Sequence, residues 1–170
     1  MRKFAALARA CEAVVESFGV VASWSSLAIV LVMAFNVLLR YAFSTGSVAM
    51  QELEWHLMAP IALLGMSYAI LKDGHVRVDV VFGRMPPRYQ ETVDTVTHLL
   101  VLTMAVIMVL LAIPYVEQSY SIGEKSPDPG GLTHRFLLKS LIPLGFALLG
   151  LQALAAALRA ILKLLGRHAD

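Results

Sequence analysis

Glu52 and His56 stand four residues apart, so on a helix they share one face. That spacing serves paired metal ligands, or an acid that hydrogen-bonds an imidazole. His98 is a second imidazole in an apolar stretch, and an intramembrane haem needs two histidines at one depth on facing helices. The rest of the chain completes neither chemistry. No third ligand accompanies Glu52 and His56, and the single cysteine, Cys11, offers neither a disulfide nor a thiol cluster. His56 and His98 each follow the start of an apolar run, but successive runs cross in opposite senses, so the two depths differ by roughly 10–15 Å. There is no nucleophile–base pair and no glycine loop to cradle phosphate. These residues predict a protein that is not an enzyme and holds no cofactor. An alternative, the membrane anchor or haem-binding subunit of an oxidoreductase, rests on His56 and His98 alone.

A second chemical candidate is KDGHVRVDVVFGR, residues 72–84, a dense group of charges between two long apolar runs. Its alternation from His75 to Asp79 has the period of a strand. A lone strand at a membrane surface would leave backbone groups unpaired. A helix end and a tight connection satisfy them better, with Gly74 as the left-handed cap of the preceding helix and Asp79 as the cap of a short interfacial one. His75 and Arg77 then lie at headgroup level, placed to meet phosphates, a carboxylate or a partner chain. Simple anchoring explains the same residues, because basic cytoplasmic loops are the rule.

Composition sets the elements that must position these groups. Of 170 residues, 58% are apolar and 15% charged, whereas a soluble domain is about a quarter charged and just under half apolar. Residues 17–39, 55–71, 95–116 and 140–158 contain no Asp, Glu, Lys or Arg. Runs of that length suit a hydrocarbon core of roughly 30 Å. A soluble bundle would instead carry charge on each outer face at a period near 3.6. The expected fold is all-α: one membrane domain over residues 1–170 with four transmembrane helices, at about 17–39, 51–71, 92–118 and 138–160. The first apolar core is too long for a signal peptide, and the small-residue stretch ALARA precedes it, so the first span is expected to stay uncleaved. Residues 1–16 predict a short amphipathic helix in the headgroup layer, with Phe4, Leu7, Ala8, Cys11, Val14 and Val15 on one stripe.

Lys and Arg orient the spans. Arg2, Lys3, Arg9, Lys72, Arg77, Arg84, Arg88, Arg159, Lys163 and Arg167 fall on one side, against Arg40, Lys125, Arg135 and Lys139 on the other. Both the N and C termini are therefore expected in the cytoplasm. The net charge of +2 includes no basic arm, so no nucleic-acid partner is expected. On the outer side Arg40 can snorkel to the headgroups and Trp55 belongs at the interface. Glu52 and Glu54 are expected in the first turn of span two, where acids favour a helix start. Pro87 opens span three, whose pattern continues to about Ile122, so it must tilt, bend at Pro114 or project. The outer connection that follows is turn-rich, with Ser126, Asp128, Gly130 and Gly131, and Lys139 stands near the start of span four. The span interiors offer Asn36, Gln152 and scattered Ser and Thr, a poor route for a polar cargo. Small-residue seams at Gly19–Ser23–Ser26, Ala62–Gly65–Ala69 and Gly150–Ala153–Ala157 allow close helix packing and leave room for a further helical partner.

The ordered set NVLLRYAFS, QELEWHL, LKDGHVRVDVV followed by PPR, EKSPDPGGL and LKSLIPLGFALLGLQ resembles the small membrane subunit of tripartite ATP-independent periplasmic (TRAP) transporters, DctQ-like, over about residues 15–158. The resemblance implies a fixed scaffold beside a large multi-span TRAP membrane subunit, which would hold the substrate and sodium sites and move as an elevator. It also implies a periplasmic substrate-binding protein that delivers an organic acid and docks transiently. In that frame His75, Arg77 and Asp79 match the cytoplasmic motif, and residues 126–131 match the outer loop. Arg40, Glu52, Glu54, Trp55, His75, Arg77, Asp79, Ser126, Asp128, Gly130, Gly131 and Lys139 are the candidate contacts to partners or membrane lipid; no catalytic residue is implied.

Overall fold

The computed structural model describes residues 2–44, 46–74 and 82–164, and every regular element among them is a helix. The order is α1 (Arg2–Phe43), α2 (Val48–Leu71), α3 (Pro87–Ser121) and α4 (Arg135–Leu164). All four are long and apolar enough to cross a membrane.

α1 is continuous for 42 residues, about 63 Å at helical rise. It contains no proline and one glycine, so nothing near residue 16 stops it. The expected separate helix over 1–16 is therefore the opening of α1. Its apolar stripe divides: Ala8 and Cys11 are buried with Ala155 of α4, while Phe4, Leu7 and Val14 stay exposed.

α2 begins at Val48, where the Ser47 hydroxyl accepts the Met50 N–H at 3.4 Å. Its first turn holds no acid, so Glu52 and Glu54 lie one turn further in than expected. With Ser47 as the cap, these carboxylates are released for other partners. α2 ends in a left-handed cap, but the residue is Asp73 (φ 55°) and not Gly74. The Asp73 N–H reaches the Ile70 carbonyl at 3.1 Å and the Gly74 N–H reaches that of Ala69 at 2.8 Å. Asp tolerates this region through its short polar side chain. α3 closes in the same way on Gly123 (φ 58°). The helices run through Pro60, Pro114 and Pro143.

α4 is the hub. It packs on α1, α2 and α3, while α3 makes no comparable contact with α1 or α2. The result is an open layout and not a closed four-helix bundle. Small residues let the helices meet. A Cβ on Gly145 of α4 would stand 2.8 Å from the Leu63 carbonyl oxygen of α2, and one on Gly19 of α1 would strike the Tyr68 ring. The Gly150–Ala153–Ala157 seam is buried. The Ala62–Gly65–Ala69 seam is not used: Ala62 is exposed, and a methyl group added at Gly65 would meet nothing within 4 Å.

Candidate interaction site at the loop end

Contacts between Glu52 and Ser126, and between Glu12 and Arg159, sort the two ends of the molecule. The α1–α2 and α3–α4 connections share one end, called here the loop end. The start of α1, the end of α2 and the last turns of α4 share the other, the basic end.

At the loop end two carboxylates organise the α3–α4 connection. Glu52 reaches it from the second turn of α2. Its oxygens accept the Ser126 hydroxyl, the Leu132 N–H at 2.5 Å and the Arg135 guanidinium at 3.4 Å. The Glu52 side chain is 11% exposed. A short turn shapes the loop: Ser126 N–H donates to the Leu132 carbonyl, Gly131 N–H to that of Asp128, and Asp128 N–H to the Ser126 hydroxyl. Gly131 is needed here, because a Cβ would lie 2.5 Å from Ser126 Oγ and 2.8 Å from Glu52 Oε2. Glu124, just past α3, accepts the Ser119 hydroxyl at 2.6 Å and Lys139 Nζ at 2.5 Å. Lys139 first, and then the Ser119 hydroxyl, hold the Glu124 carboxyl below the usual carboxylate range. The Lys139 ammonium also lies 4.1 Å from the centroid of the Tyr115 ring. Between α2 and α3, above α4, this network leaves a cleft of ≈ 700 Å³ bordered by Trp55, Tyr115 and Asp128.

The structure thus unites Glu52, Ser126, Gly131 and Lys139, with exposed Asp128 and Gly130 (φ 82°) at the tip of the turn. Glu54 belongs to a different contact, accepting Asn36 Nδ2 of α1 at 3.2 Å. Trp55 is 76% exposed. Arg40 takes no part, lying exposed over the Tyr41 ring. His75, Arg77 and Asp79 lie outside the described residues, as does the proposed cap at Asp79. Glu124, Ser119 and Arg135 complete the network and were not singled out from sequence. A carboxylate just before a serine–proline turn was a usable signal for Glu124; nothing local marked Arg135.

His56 does not bond the Glu52 carboxylate. Its Nδ1 lies 2.7 Å from the Glu52 backbone carbonyl, which can only accept, so Nδ1 carries the proton. The carboxylate is already committed to the loop. His56 borders the loop-end cleft and His98 a cleft at the basic end, so they face no common space. Among the described residues no three His, Cys, Asp or Glu side chains are grouped to hold a metal.

At the basic end, Glu12 of α1 pairs with Arg159 of α4. Glu16 pairs with Lys72 at 2.6 Å, which raises the lysine above its usual range.

Four helices of this length, apolar character and exposure define a multi-pass membrane protein. The chain matches the DctQ component of tripartite ATP-independent periplasmic transporters over residues 29–163, well over half its length, and it belongs to that family of transport components. A Haemophilus influenzae protein provisionally named a TRAP transporter small permease protein is 33% identical over 79 residues. That match covers 46% of this chain and 49% of the relative, so the chain spans about half the length of the curated relative it matches.

Proposed function

We propose that this protein is the fixed small subunit of a sodium-coupled TRAP transporter in the bacterial inner membrane. It stabilises a large multi-span subunit that carries an organic-acid-type solute. Both termini face the cytoplasm, with His75, Arg77 and Asp79 meeting lipid headgroups or the partner there. The clamped 124–134 connection faces the periplasm, where a soluble binding protein docks transiently with Asp128 and Gly130 at the contact.

The observation that carries this reading is the open layout. Among the described residues α3 packs chiefly on α4, and large side chains such as Trp24, Leu38, Leu100 and Leu111 are more than three-fifths exposed along the helices. An apolar surface of this extent, with the small-residue face of Ala62 and Gly65 left unpacked, suits a wall that other helices cover. The described Asp, Glu, Lys and Arg lie outside the four charge-free apolar runs, which suits a subunit that holds a carrier and does not itself conduct.

Co-expression with the large subunit tests the reading. Purification in mild detergent is expected to retain both, and vesicles containing both plus the binding protein are expected to accumulate a carboxylate along a sodium gradient. Vesicles with this chain alone are expected to show no flux. A chain that never retains the large subunit, or that alone gives saturable flux, would overturn the scaffold role.

A further inference from the structure

We infer that the loop-end cleft receives an arginine of the soluble binding protein, whose guanidinium meets Asp128 and lies on the Trp55 ring, given the reading above that the loop end meets that protein in the periplasm. The cleft of ≈ 700 Å³ is lined by the acids Glu52, Glu124 and Asp128 and by the bases Arg135 and Lys139. Two of the acids are matched inside the protein, Glu52 to Arg135 and Glu124 to Lys139. Asp128 is left over. It is exposed and takes part in no ion pair among the described residues. An unmatched carboxylate on a cleft wall calls for a cation. His56, on the same wall, narrows the kind. Its Nδ1 donates to the Glu52 carbonyl, so Nε2 is the ring's acceptor and is satisfied only by a group that donates. Trp55 narrows it further. Its ring borders the cleft and is 76% exposed, a surface on which a guanidinium stacks. A planar cation with several N–H donors is an arginine side chain; a metal ion has no donor to offer.

The way Asp128 is held supports a docking role. Pro127 and Pro129 flank it, each with φ fixed by its ring. The Asp128 N–H donates to Ser126 Oγ at 3.2 Å, and Glu52 anchors both Ser126 and Leu132, on either side of the tip. A carboxylate fixed before contact loses little freedom when a partner docks. Its height selects a soluble partner. The charge-free run of α3 ends at Val116, yet the helix continues to Ser121, and Asp128 lies on the connection beyond it. Helical rise puts the end of α3 roughly 7 Å past that run, within reach of a protein in water.

The test measures binding of the solute-loaded binding protein to the complex of this chain and its large subunit in nanodiscs. Asp128→Asn keeps the shape and the backbone bonds and removes the charge. It is expected to weaken binding about tenfold, the effect of one hydrogen bond between charged groups, and to reduce its salt dependence. Trp55→Leu is expected to weaken binding about threefold. Glu117→Gln alters an exposed acid outside the cleft and should leave binding unchanged. One arginine of the binding protein, changed to Gln, is expected to weaken binding to the wild-type complex about tenfold and binding to Asp128→Asn no further. Gln51→Cys places a thiol on the cleft wall, while Cys11 is buried. That thiol is expected to react with a membrane-impermeant maleimide and to be protected once the binding protein is added. Wild-type binding that Asp128→Asn leaves unchanged, or that Glu117→Gln weakens equally, overturns this inference alone, as does the absence of any coupled arginine. A Gln51→Cys thiol blocked before the binding protein is added also overturns it, because lipid or the large subunit then fills the cleft. A binding protein that never binds the wild-type complex overturns the docking reading itself, and this inference with it.

Discussion

The two ends of this molecule solve the same problem in opposite ways. Among the described residues α2 and α3 make no packing contact comparable to the others, so each end must manage the gap between them. At the loop end the chain closes it: Glu52 of α2 grips the α3–α4 connection, and Glu124 draws Lys139 of α4 toward the end of α3. These ion-paired side chains are 11–33% exposed. At the basic end the described ion pairs start from α1, and three of the four partners are about half-exposed, Lys72 and Glu16 at 49% and 55% and Arg159 at 50%. A sheltered pair surrounded by extra donors fixes geometry, whereas exposed pairs contribute little. The loop end is thus built as a rigid platform, and the described ties at the basic end are looser. Even the platform has one loose thread, since Arg135 Nε is buried without a partner.

The contrast is broken most severely by Glu52→Ala. Three donors lose their acceptor at once, and Arg135 loses its ion-pair partner. Hydrogen exchange across 124–134 is expected to accelerate by about tenfold or more as the loop opens locally, with membrane insertion unchanged. Glu16→Ala at the basic end is the control and should leave that segment alone. Unchanged exchange in Glu52→Ala would show that the loop is held by its own turn.

Gly131→Ala attacks the same clamp by crowding. The added methyl lies within 2.8 Å of both Ser126 Oγ and Glu52 Oε2, and overpacking of this kind costs about 1–3 kcal/mol. A lower melting temperature in detergent is the expected result. Gly65→Ala, with nothing within 4 Å, should not lower it in the isolated chain.

Much of the helical frame was legible because its signal is local. Charge-free runs at 17–39 and 95–116 announce spans by length alone. Their extensions were harder. An apolar stripe over residues 4–15 reads identically whether it faces lipid or a neighbouring helix, and only the burial of Ala8 and Cys11 with Ala155 decides it. The cap at the end of α2 was visible as a left-handed position, but Asp73 and Gly74 both qualify and the register chose Asp73. Ser126, Asp128, Gly130 and Gly131 stood out as a turn. What held that turn did not, because Glu52 lies 74 residues from Ser126 and 80 from Leu132. Gln152 was conspicuous as an amide in an apolar run, yet only the fold shows it buried, with its Oε1 unpartnered.

Titration sharpens the contrast between the ends. Glu124 is held below its ordinary value of 4.5, so the folded state favours its charged form. Its contribution is present above that value and is lost as pH falls through the lowered one. Lys72 is held above its ordinary 10.5, so its contribution is present below that value and lost as pH rises through the raised one. Acid is therefore expected to loosen the loop end only as pH falls through the lowered value, seen as faster exchange over 124–134 below pH 4.5. Glu124→Gln should flatten that dependence. Exchange over 124–134 that does not respond to acid, or that responds equally in Glu124→Gln, would mean that this carboxylate does not hold the platform.

The smallest effect is expected from Lys72→Ala. The ammonium meets Glu16 at 2.6 Å and also lies 5.4 Å from the Tyr68 ring centroid, a richer set of contacts than most surface lysines have. Yet about half of both charged side chains faces solvent, where water and salt replace what the pair supplies. The backbone cap at Asp73 and Gly74 does not use the lysine side chain, so α2 should still end in the same place. The variant should melt with wild type at physiological salt and fall slightly below it only at low ionic strength. A large loss at both salts would mean that the α1–α2 tie at this end is as firm as the Glu52 clamp, and the contrast between the two ends would disappear.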